Sequence, residues 1–249
     1  MSIADKLQTV RAQIRNSTVA AGRPESAVTL LAVSKTMPAE DVVMAIHHGQ
    51  RDFGENYVQE AIAKKAEVDR LLAGDPEWVR PVWHFIGPLQ SNKTSDVAAH
   101  FDWFHTLDRL KIARRLSEQR PEGLPPLNCC LQVNISREDS KAGLPPAQDA
   151  VNELAAAVAA LPGLSLRGLM CIPAADLDDT GSAEAFGRLR DMLAQMREHV
   201  GRAGFQAQAS KIDTLSMGMS ADMGVAIAQG ATIVRIGQAI FGARKPNHH

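Results

Sequence analysis

The alternation of two residue patterns constrains the fold of this chain more than any other feature. Eight runs of strand length, rich in apolar and β-branched residues, are separated by segments whose apolar residues recur at helical spacing. The runs are VTLLAVS (28–34), RDFG (51–54), VWHFIG (82–87), WFHTL (103–107), NCCLQVNI (128–135), LRGLMCI (166–172), DTLSM (213–217) and TIVRIG (232–237). Strands that alternate with helices, without hairpin signals such as Asn-Gly, pair in parallel through helical crossovers.

Two of the intervening segments show the helical periodicity most clearly. In residues 186–200 the apolar side chains recur every three or four positions and share one face. Residues 151–161 follow the same spacing and end before Pro162-Gly163, which is a typical helix stop. Both segments are therefore predicted to be amphipathic helices that pack against the sheet.

The number of units predicts the fold class. Eight βα units in 249 residues match a closed (β/α)8 TIM barrel of the α/β class, with an extra helix before the first strand. An open doubly wound sheet is the alternative, but it usually has fewer strands, and no G-x-G-x-x-G motif follows the first run. No linker rich in Gly, Ser or Pro divides the chain, so we expect a single domain over residues 1–249.

Composition narrows the possible partners. The formal net charge of −1 offers no electrostatic footprint for nucleic acid or an anionic membrane surface. No run approaches the roughly 18 apolar residues of a membrane span, and the N-terminus lacks a signal-peptide core. Cys129, Cys130 and Cys171 match no zinc or redox spacing, so they are expected to be core residues of a cytoplasmic protein. His248-His249 reads equally well as native sequence or as the remainder of a tag.

Lys35 stands where the first predicted strand ends. It follows the apolar run LLAV, although an ammonium group is costly beside a buried segment. Active sites of these barrels lie at the C-terminal ends of the strands. Side chains alternate along a strand, and closure makes strands one and eight neighbours, so inward faces would place Lys35 and Arg235 roughly 5 Å apart. Two cations in one lumen repel, which favours a neutral, nucleophilic lysine.

The stretch SMGMSADMGVAIAQG (216–230) predicts an anion site after strand seven. It reads as a strand end, a turn of small residues and a helix from about Ala221, with Ser220 as the N-cap. Helix starts attract phosphate, and the loops after strands seven and eight of these barrels commonly bind it. Gly237, followed by Gln238, lets the backbone approach a ligand closely. A phosphate-bearing aldehyde such as pyridoxal 5'-phosphate, held between this site and Lys35, would use all of these groups.

Five motifs in order closely resemble the pyridoxal phosphate homeostasis protein family. They are AVSKT, FGENYVQE, WHFIGPLQSNK, SMGMSADM and VRIGQAIFGAR, and the resemblance spans about residues 28–244. Members of this family are related in fold to the barrel domain of alanine racemase and lack its second, β-rich domain. The resemblance implies a barrel that binds pyridoxal 5'-phosphate as an internal aldimine, has no established turnover, and acts in vitamin B6 and amino-acid homeostasis.

The resemblance also implies roles for individual residues. Lys35 of AVSKT corresponds to the Schiff-base lysine, and Asn56 of FGENY to a polar residue beside the cofactor. Ser216 and the backbone of Gly237 and Gln238 correspond to the phosphate cradle. Gln238 departs from the small hydroxyl residue that is common in the family, so only its backbone N–H is expected to contact the phosphate.

Arg235 of VRIG corresponds to the arginine that faces the pyridine nitrogen. A carboxylate at this nitrogen would keep it protonated and make the ring a strong electron sink. A guanidinium donates a hydrogen bond but cannot take up the proton, so the ring is expected to stabilise a carbanion poorly. Such a site suits binding and transfer of the cofactor, or slow racemase-like chemistry, better than transamination.

Other polar residues allow two interpretations. His84 and His105 on neighbouring strands would suit a metal pair, but no H-x-H motif or carboxylate cluster accompanies them, so packing or hydrogen bonding is favoured and no metal is expected. Tyr57 is either an acid/base, as in racemases, or a residue that packs near the ring. Glu55 is expected to hydrogen-bond groups behind the site, and Met217 to contact the cofactor, since methionine fills irregular gaps.

Three functions remain open at this point. The first is a non-catalytic carrier that stores pyridoxal 5'-phosphate or delivers it to apo-enzymes that depend on it. The second is a weak amino-acid racemase with the same cofactor. The third is an aldolase-type barrel in which Lys35 acts on a phosphorylated sugar without a bound cofactor. The chain lacks the racemase's second domain, which removes its usual dimer contacts and favours a monomer.

Overall fold

The predicted strands close into a barrel. A computed structural model of the protein describes residues 1–76, 78–138 and 141–243. Within them eight parallel strands pair in chain order, and β8 pairs with β1. The strands are β1 (Thr29–Val33), β2 (Asp52–Glu55), β3 (Val82–Phe85), β4 (Trp103–Leu107), β5 (Leu127–Gln132), β6 (Leu164–Met170), β7 (Thr214–Ser216) and β8 (Ile233–Ile236). Each overlaps one predicted run, so the barrel prediction is confirmed.

Helices connect the strands and cover the barrel. The α-helices of the described residues are α1 (Ile3–Ala20), α2 (Ala39–His47), α3 (Val58–Leu71), α4 (Thr94–His100), α5 (Leu110–Glu118), α6 (Gln148–Ala159), α7 (Asp179–Arg202), α8 (Gln206–Ala209), α9 (Met223–Ala228) and α10 (Gln238–Phe241). Short 3₁₀ helices cover Glu25–Ala27 and Ser91–Lys93. The buried residues of α6 and α7 follow the predicted apolar spacing, with Leu193 only partly buried, which confirms both amphipathic helices.

The extra N-terminal helix is also confirmed. A capping box starts α1: the Asp5 N–H donates to Ser2 Oγ, and the Ser2 N–H donates to the Asp5 carboxylate. The buried face of α1 carries Leu7, Val10 and Ile14. This helix packs beside α2, α9 and α10, so it covers the seam where β8 meets β1.

Alternation along the strands separates the outer core from the lumen. On β3, Phe85 faces the helices and packs against Phe101 at a ring-centroid distance of 5.3 Å. His84, one residue earlier, points the opposite way and contacts His105 of β4 inside the barrel. The lumen therefore contains polar groups as well as apolar ones. Cys129, Cys130 and Cys171 are buried and unbridged, as predicted.

The turn after β7 differs from the prediction. The expected N-cap Ser220 is wrong: α9 begins at Met223, its N-cap is Asp222, and the helix has six residues. The Asp222 carboxylate instead accepts the Met219 N–H at 2.6 Å and closes the turn. Gly218 has φ +94°, a left-handed conformation that favours glycine. The longer turn delays the helix beyond the predicted start.

Two further points concern the whole chain. Within the described residues, no helix has both the length and the apolar character needed to cross a bilayer. His248-His249 and the last residue of the motif VRIGQAIFGAR lie outside the part of the chain that the structure describes.

Candidate functional site

Lys35 lines a cavity at the C-terminal end of β1. The cavity has a volume of about 350 Å³, and Val33, Met37, Gly237 and Gln238 also line it. The structure thus brings together the predicted Schiff-base lysine and the predicted phosphate-binding backbone. A Cβ atom at Gly237 would lie 3.1 Å from the Val33 carbonyl oxygen, so a glycine lets the exit of β8 lie close against β1. The cavity opens where active sites of such barrels are found.

The peptide groups on both sides of Lys35 are held by charged side chains. Lys64 of α3 donates to the carbonyl oxygen of Ser34, the preceding residue, at 2.7 Å. Glu60, also of α3, accepts the N–H of Thr36, the following residue, at 2.6 Å. Thr36 has φ 64°, a left-handed conformation that costs energy for a β-branched residue. These two contacts therefore stabilise the strained backbone that aims Lys35.

A buried ion pair supports this arrangement. Lys64 Nζ also donates to Glu55 Oε1 at 2.8 Å and to Glu60 Oε1 at 3.0 Å, so all three of its N–H groups are used. Ser34 Oγ donates to the same Glu55 oxygen at 2.7 Å. Burial raises the pKa of Glu55, and the contacts with Lys64 and Ser34 offset part of that rise. The expected role of Glu55 behind the site agrees with these contacts.

Asn56 lies at the exit of β2, between Glu55 and the half-exposed Tyr57. Its Oδ1 atom is buried and accepts no hydrogen bond within the described residues. A buried acceptor without a donor is costly, so this atom fits a ligand that supplies one. The backbone of Gly87, from the loop after β3, lies so close that a Cβ there would overlap the Asn56 carbonyl oxygen. Gly87 therefore sets the position of Asn56.

Arg235 is buried in the lumen, and its hydrogen-bond acceptors among the described residues are uncharged. Its Nη1 donates to the carbonyl oxygen of Ser216 at 2.6 Å and to Ser216 Oγ at 2.9 Å, and its Nη2 donates to the Cys171 carbonyl at 2.8 Å. Within the described residues it makes no ion pair, and burial lowers the pKa of the guanidinium. A buried cation held by neutral groups fits a ligand that brings negative charge or an electron pair.

The predicted distance of roughly 5 Å between Lys35 and Arg235 is wrong for their Cα atoms. Arg235 pairs with Leu31, four residues before Lys35 on the same alternating face. The two Cα atoms are therefore offset by roughly 13 Å along the strand, since a strand rises about 3.3 Å per residue. The alternation still assigns both residues to the same face, so their side chains start from different depths of the barrel.

Ser216 connects Arg235 to a pair of buried histidines. Its hydroxyl lies 2.8 Å from His105 Nδ1, and His105 Nε2 lies 2.9 Å from His84 Nδ1. His84 Nε2 in turn lies 3.0 Å from Asp52 Oδ1. Burial, and then the neighbouring His84 and Arg235, lower the pKa of His105 well below its usual value. The favoured interpretation of the histidines as hydrogen-bonding groups agrees with these contacts.

Two other residues of the predicted site, Met217 and Gln238, lie next to Ser216 and Gly237 in the chain. Met217 is fully buried in the core next to Ser216, and its contact with a cofactor stays a prediction. Gln238 is the first residue of α10, with Gly237 as the N-cap. Sequence reasoning missed Lys64, Glu60 and Asp52. Lys64 had a signal, because it falls on the apolar stripe of α3 between Ala61 and Val68.

Comparison with known proteins places the chain in a family. Residues 6–245 match the family model described as "Alanine racemase, N-terminal domain". The chain is 52% identical to the pyridoxal phosphate homeostasis protein of Pseudomonas aeruginosa PAO1 over 243 residues, which cover 98% of this chain and 96% of that one. It is equally identical to the Escherichia coli K12 protein of that name over 242 residues, 97% of each chain. The chain belongs to the pyridoxal phosphate homeostasis protein family.

Solved structures agree with this assignment. PipY of Synechococcus elongatus PCC7942, solved with PLP bound, is 35% identical and superposes with a TM-score of 0.78 over 97% of this chain and 100% of that one. The same protein without PLP superposes with a TM-score of 0.81 over the same shares of both chains. The barrel of this chain therefore matches an architecture that holds PLP in PipY.

Proposed function

We propose that this protein binds pyridoxal 5'-phosphate at the mouth of the barrel and acts in intracellular pyridoxal phosphate (vitamin B6) and amino-acid homeostasis. The observation that carries the proposal is the shared cavity of Lys35, Gly237 and Gln238. An amine and glycine-containing backbone that line one cavity would suit an aldehyde and a phosphate on the same small ligand. The PLP-bound structure of PipY and the names of the relatives at 52% identity support it.

The residues present fit this cofactor. When bound, the cofactor would supply an aldehyde carbon, and Lys35 would be the amine that faces it. The backbone of Gly237 and Gln238 would hold the phosphate. Ser216, expected from the resemblance to share this role, is fully buried and bonded to His105 and Arg235, so it would support the arginine instead. Asn56 Oδ1, buried and without a donor among the described residues, would accept from a group on the ring, and Met217 would pack near it. Arg235 would donate to the pyridine nitrogen with an N–H that its three hydrogen bonds leave available.

We further propose that turnover is not the main role of the site. Arg235 is held by uncharged oxygen acceptors and cannot pass a proton to the pyridine nitrogen, so the ring stays a weak electron sink. The favoured role is storage and transfer of the cofactor, with apo-enzymes that need it as recipients. The whole chain, residues 1–249, then serves as one cofactor-binding domain that acts as a cytoplasmic monomer.

The decisive experiment is a visible-absorbance titration of purified protein with pyridoxal 5'-phosphate. Wild type is expected to develop the yellow Schiff-base band, and Lys35→Ala to lose it. Lys65→Ala is the matched control, because burial lowers the pKa of Lys65 to about 8 and so favours its neutral, nucleophilic amine. A colourless wild type, or a band that follows Lys65 instead of Lys35, would overturn the proposal.

A weak amino-acid racemase is the second candidate, since the family model is that of an alanine racemase domain. Incubation of the loaded protein with single-enantiomer amino acids separates the two candidates. The carrier proposal expects the mirror-image amino acid to stay near the uncatalysed level, while an added apo-enzyme gains activity from the loaded protein. Substantial racemisation without transfer would favour the racemase.

A further inference from the structure

A series of hydrogen bonds crosses the barrel from one end to the other. Asp52 is the first residue of β2, at the N-terminal end of the barrel, and Ser216 is the last residue of β7, at the C-terminal end. His84 and His105 bridge them through contacts of 3.0, 2.9 and 2.8 Å. Arg235 then donates to the Ser216 hydroxyl at 2.9 Å. A carboxylate and a guanidinium thus lie at the two ends of one connected series.

The two ends differ in their access to solvent. The Asp52 side chain is 26% exposed and lines a cavity of about 360 Å³ at the N-terminal end of the barrel, together with Glu25 and Arg11. His84 is 1% exposed, and His105 and Ser216 are fully buried. Asp52 is therefore remote from the cavity of Lys35 and reaches that end only through the two histidines.

The proton positions along the series follow from the chemistry of its ends. A carboxylate only accepts, so His84 Nε2 must carry the hydrogen that faces Asp52. A neutral His84 then accepts at Nδ1, which requires His105 to donate from Nε2 and to accept at Nδ1. The Ser216 hydroxyl supplies that last hydrogen and accepts from Arg235. Each group donates to the next, from Arg235 to Asp52.

Two other arrangements would satisfy the same contacts, and each needs a cationic histidine. In one, a doubly protonated His84 would donate to both Asp52 and His105, and the hydrogen of His105 would turn toward Ser216. In the other, a doubly protonated His105 would donate to both His84 and Ser216. Either arrangement adds a second cation to a lumen that already holds the buried Arg235, which makes no ion pair within the described residues. A cationic His84 would pair with Asp52 at 3.0 Å, but that carboxylate is 26% exposed and two buried cations repel, so the neutral arrangement is favoured.

We propose that Asp52, His84 and His105 are positioning residues. They direct the Ser216 hydroxyl hydrogen toward His105, so that Ser216 Oγ accepts a hydrogen bond from Arg235. The guanidinium is then anchored through Nη1, and its remaining N–H groups keep one direction. The consequence for a bound pyridine ring rests on the proposed function, but the proton arrangement itself does not. A carboxylate at the opposite end of the barrel thus determines how the ligand-binding arginine is held.

The test is the tautomeric state of the two histidines in the cofactor-free protein. Long-range ¹H–¹⁵N correlation spectra of histidine-labelled wild type distinguish protonated from unprotonated ring nitrogens, and His84→Gln and His105→Gln assign the signals. Both residues are expected to be neutral with the hydrogen on Nε2. A cationic His84, or a hydrogen on His105 Nδ1, would overturn the proposal whether or not the protein binds any cofactor.

A substitution of Asp52 tests whether this carboxylate controls the tautomers of the two histidines. Asp52→Asn keeps the size of the side chain but can donate as well as accept, so it no longer imposes the Nε2–H form on His84. We expect the Nδ1–H forms to become populated at both histidines, and the visible band of the loaded protein to shift. Glu25→Gln removes a carboxylate from the same cavity and is expected to change neither the histidine tautomers nor the visible band. Unchanged tautomers in Asp52→Asn would contradict control by Asp52, even if the band is normal.

Discussion

Lys64 Nζ lies 2.7 Å from the backbone carbonyl oxygen of Ser34, the residue that precedes Lys35. The proposed Schiff-base lysine therefore sits on a backbone that a second, buried lysine holds in place. Glu60 holds the other side of Lys35 through the Thr36 N–H. Four predictions test how this support, the histidine pair and the packing around Asn56 contribute to the site.

Replacing Lys64 tests the buried ion pair. Lys64→Met leaves Glu55 buried without its cation and removes the donor to Ser34. Breaking such a buried pair from one side typically costs about 3–5 kcal/mol, so the free energy of unfolding in urea should fall by that order. Arg70→Met removes the cation of the exposed Glu67 pair on the same helix, and we expect no measurable change. Equal effects of both substitutions would contradict a structural role for the buried pair.

Two substitutions of Glu60 separate the effect of its negative charge from the effect of its hydrogen-bond acceptor. Glu60→Gln keeps an oxygen for the Thr36 N–H, whereas Glu60→Ala leaves that N–H without an acceptor. Loss of a hydrogen bond to a charged group is worth about 1.5–3 kcal/mol, so Glu60→Ala should weaken pyridoxal 5'-phosphate binding about tenfold or more. Glu60→Gln should stay within about threefold of wild type in the same absorbance titration. Similar affinities for the two variants would rule out the Thr36 contact as the cause.

The stability of the protein should depend on pH through His105. Burial holds the pKa of His105 well below 6.5, so the folded protein keeps it neutral where the unfolded chain protonates it. The unfolded state then binds more protons, and the free energy of unfolding falls as pH drops below about 6.5, by up to about 1.4 kcal/mol per pH unit. Urea unfolding between about pH 7.5 and 5 should show a shallower decline for His105→Gln. Replacement of the exposed His48 by Gln should leave the wild-type slope.

Gly87 tests the position of Asn56. A Cβ there would overlap the Asn56 carbonyl oxygen, so Gly87→Ala must displace the exit of β2 or β3. Overpacking of this kind costs about 1–3 kcal/mol, and we expect weaker cofactor binding together with lower stability. Gly224→Ala is the control, because a Cβ at this position of α9 meets only Ser17 Oγ at 3.8 Å and alanine favours a helix. Undiminished affinity in Gly87→Ala would show that Asn56 does not depend on this contact.

Local patterns predicted the fold and the location of the site. Apolar patterns with periods of 2 and 3.6 residues are set by local geometry, so all eight strands and the long helices could be predicted. The positions of Lys35 and Gly237 at strand ends followed directly, since parallel strands in a closed barrel bring their C-terminal ends to one side. The start of α9 was misplaced, because the acceptor role of Asp222 depends on the fold of the turn around Gly218.

The sequence by itself determined which residues reach the mouth of the barrel, because alternation and strand order depend on near neighbours in the chain. The tertiary structure alone decided what holds those residues. The register between β1 and β8 offset Lys35 from Arg235 by four residues, and the packing of α3 placed Lys64 against Ser34. The link from Asp52 to Ser216 joins residues more than 160 positions apart. Such contacts are fixed by barrel closure and by burial, in which each polar group must find a partner, and no local pattern encodes that choice.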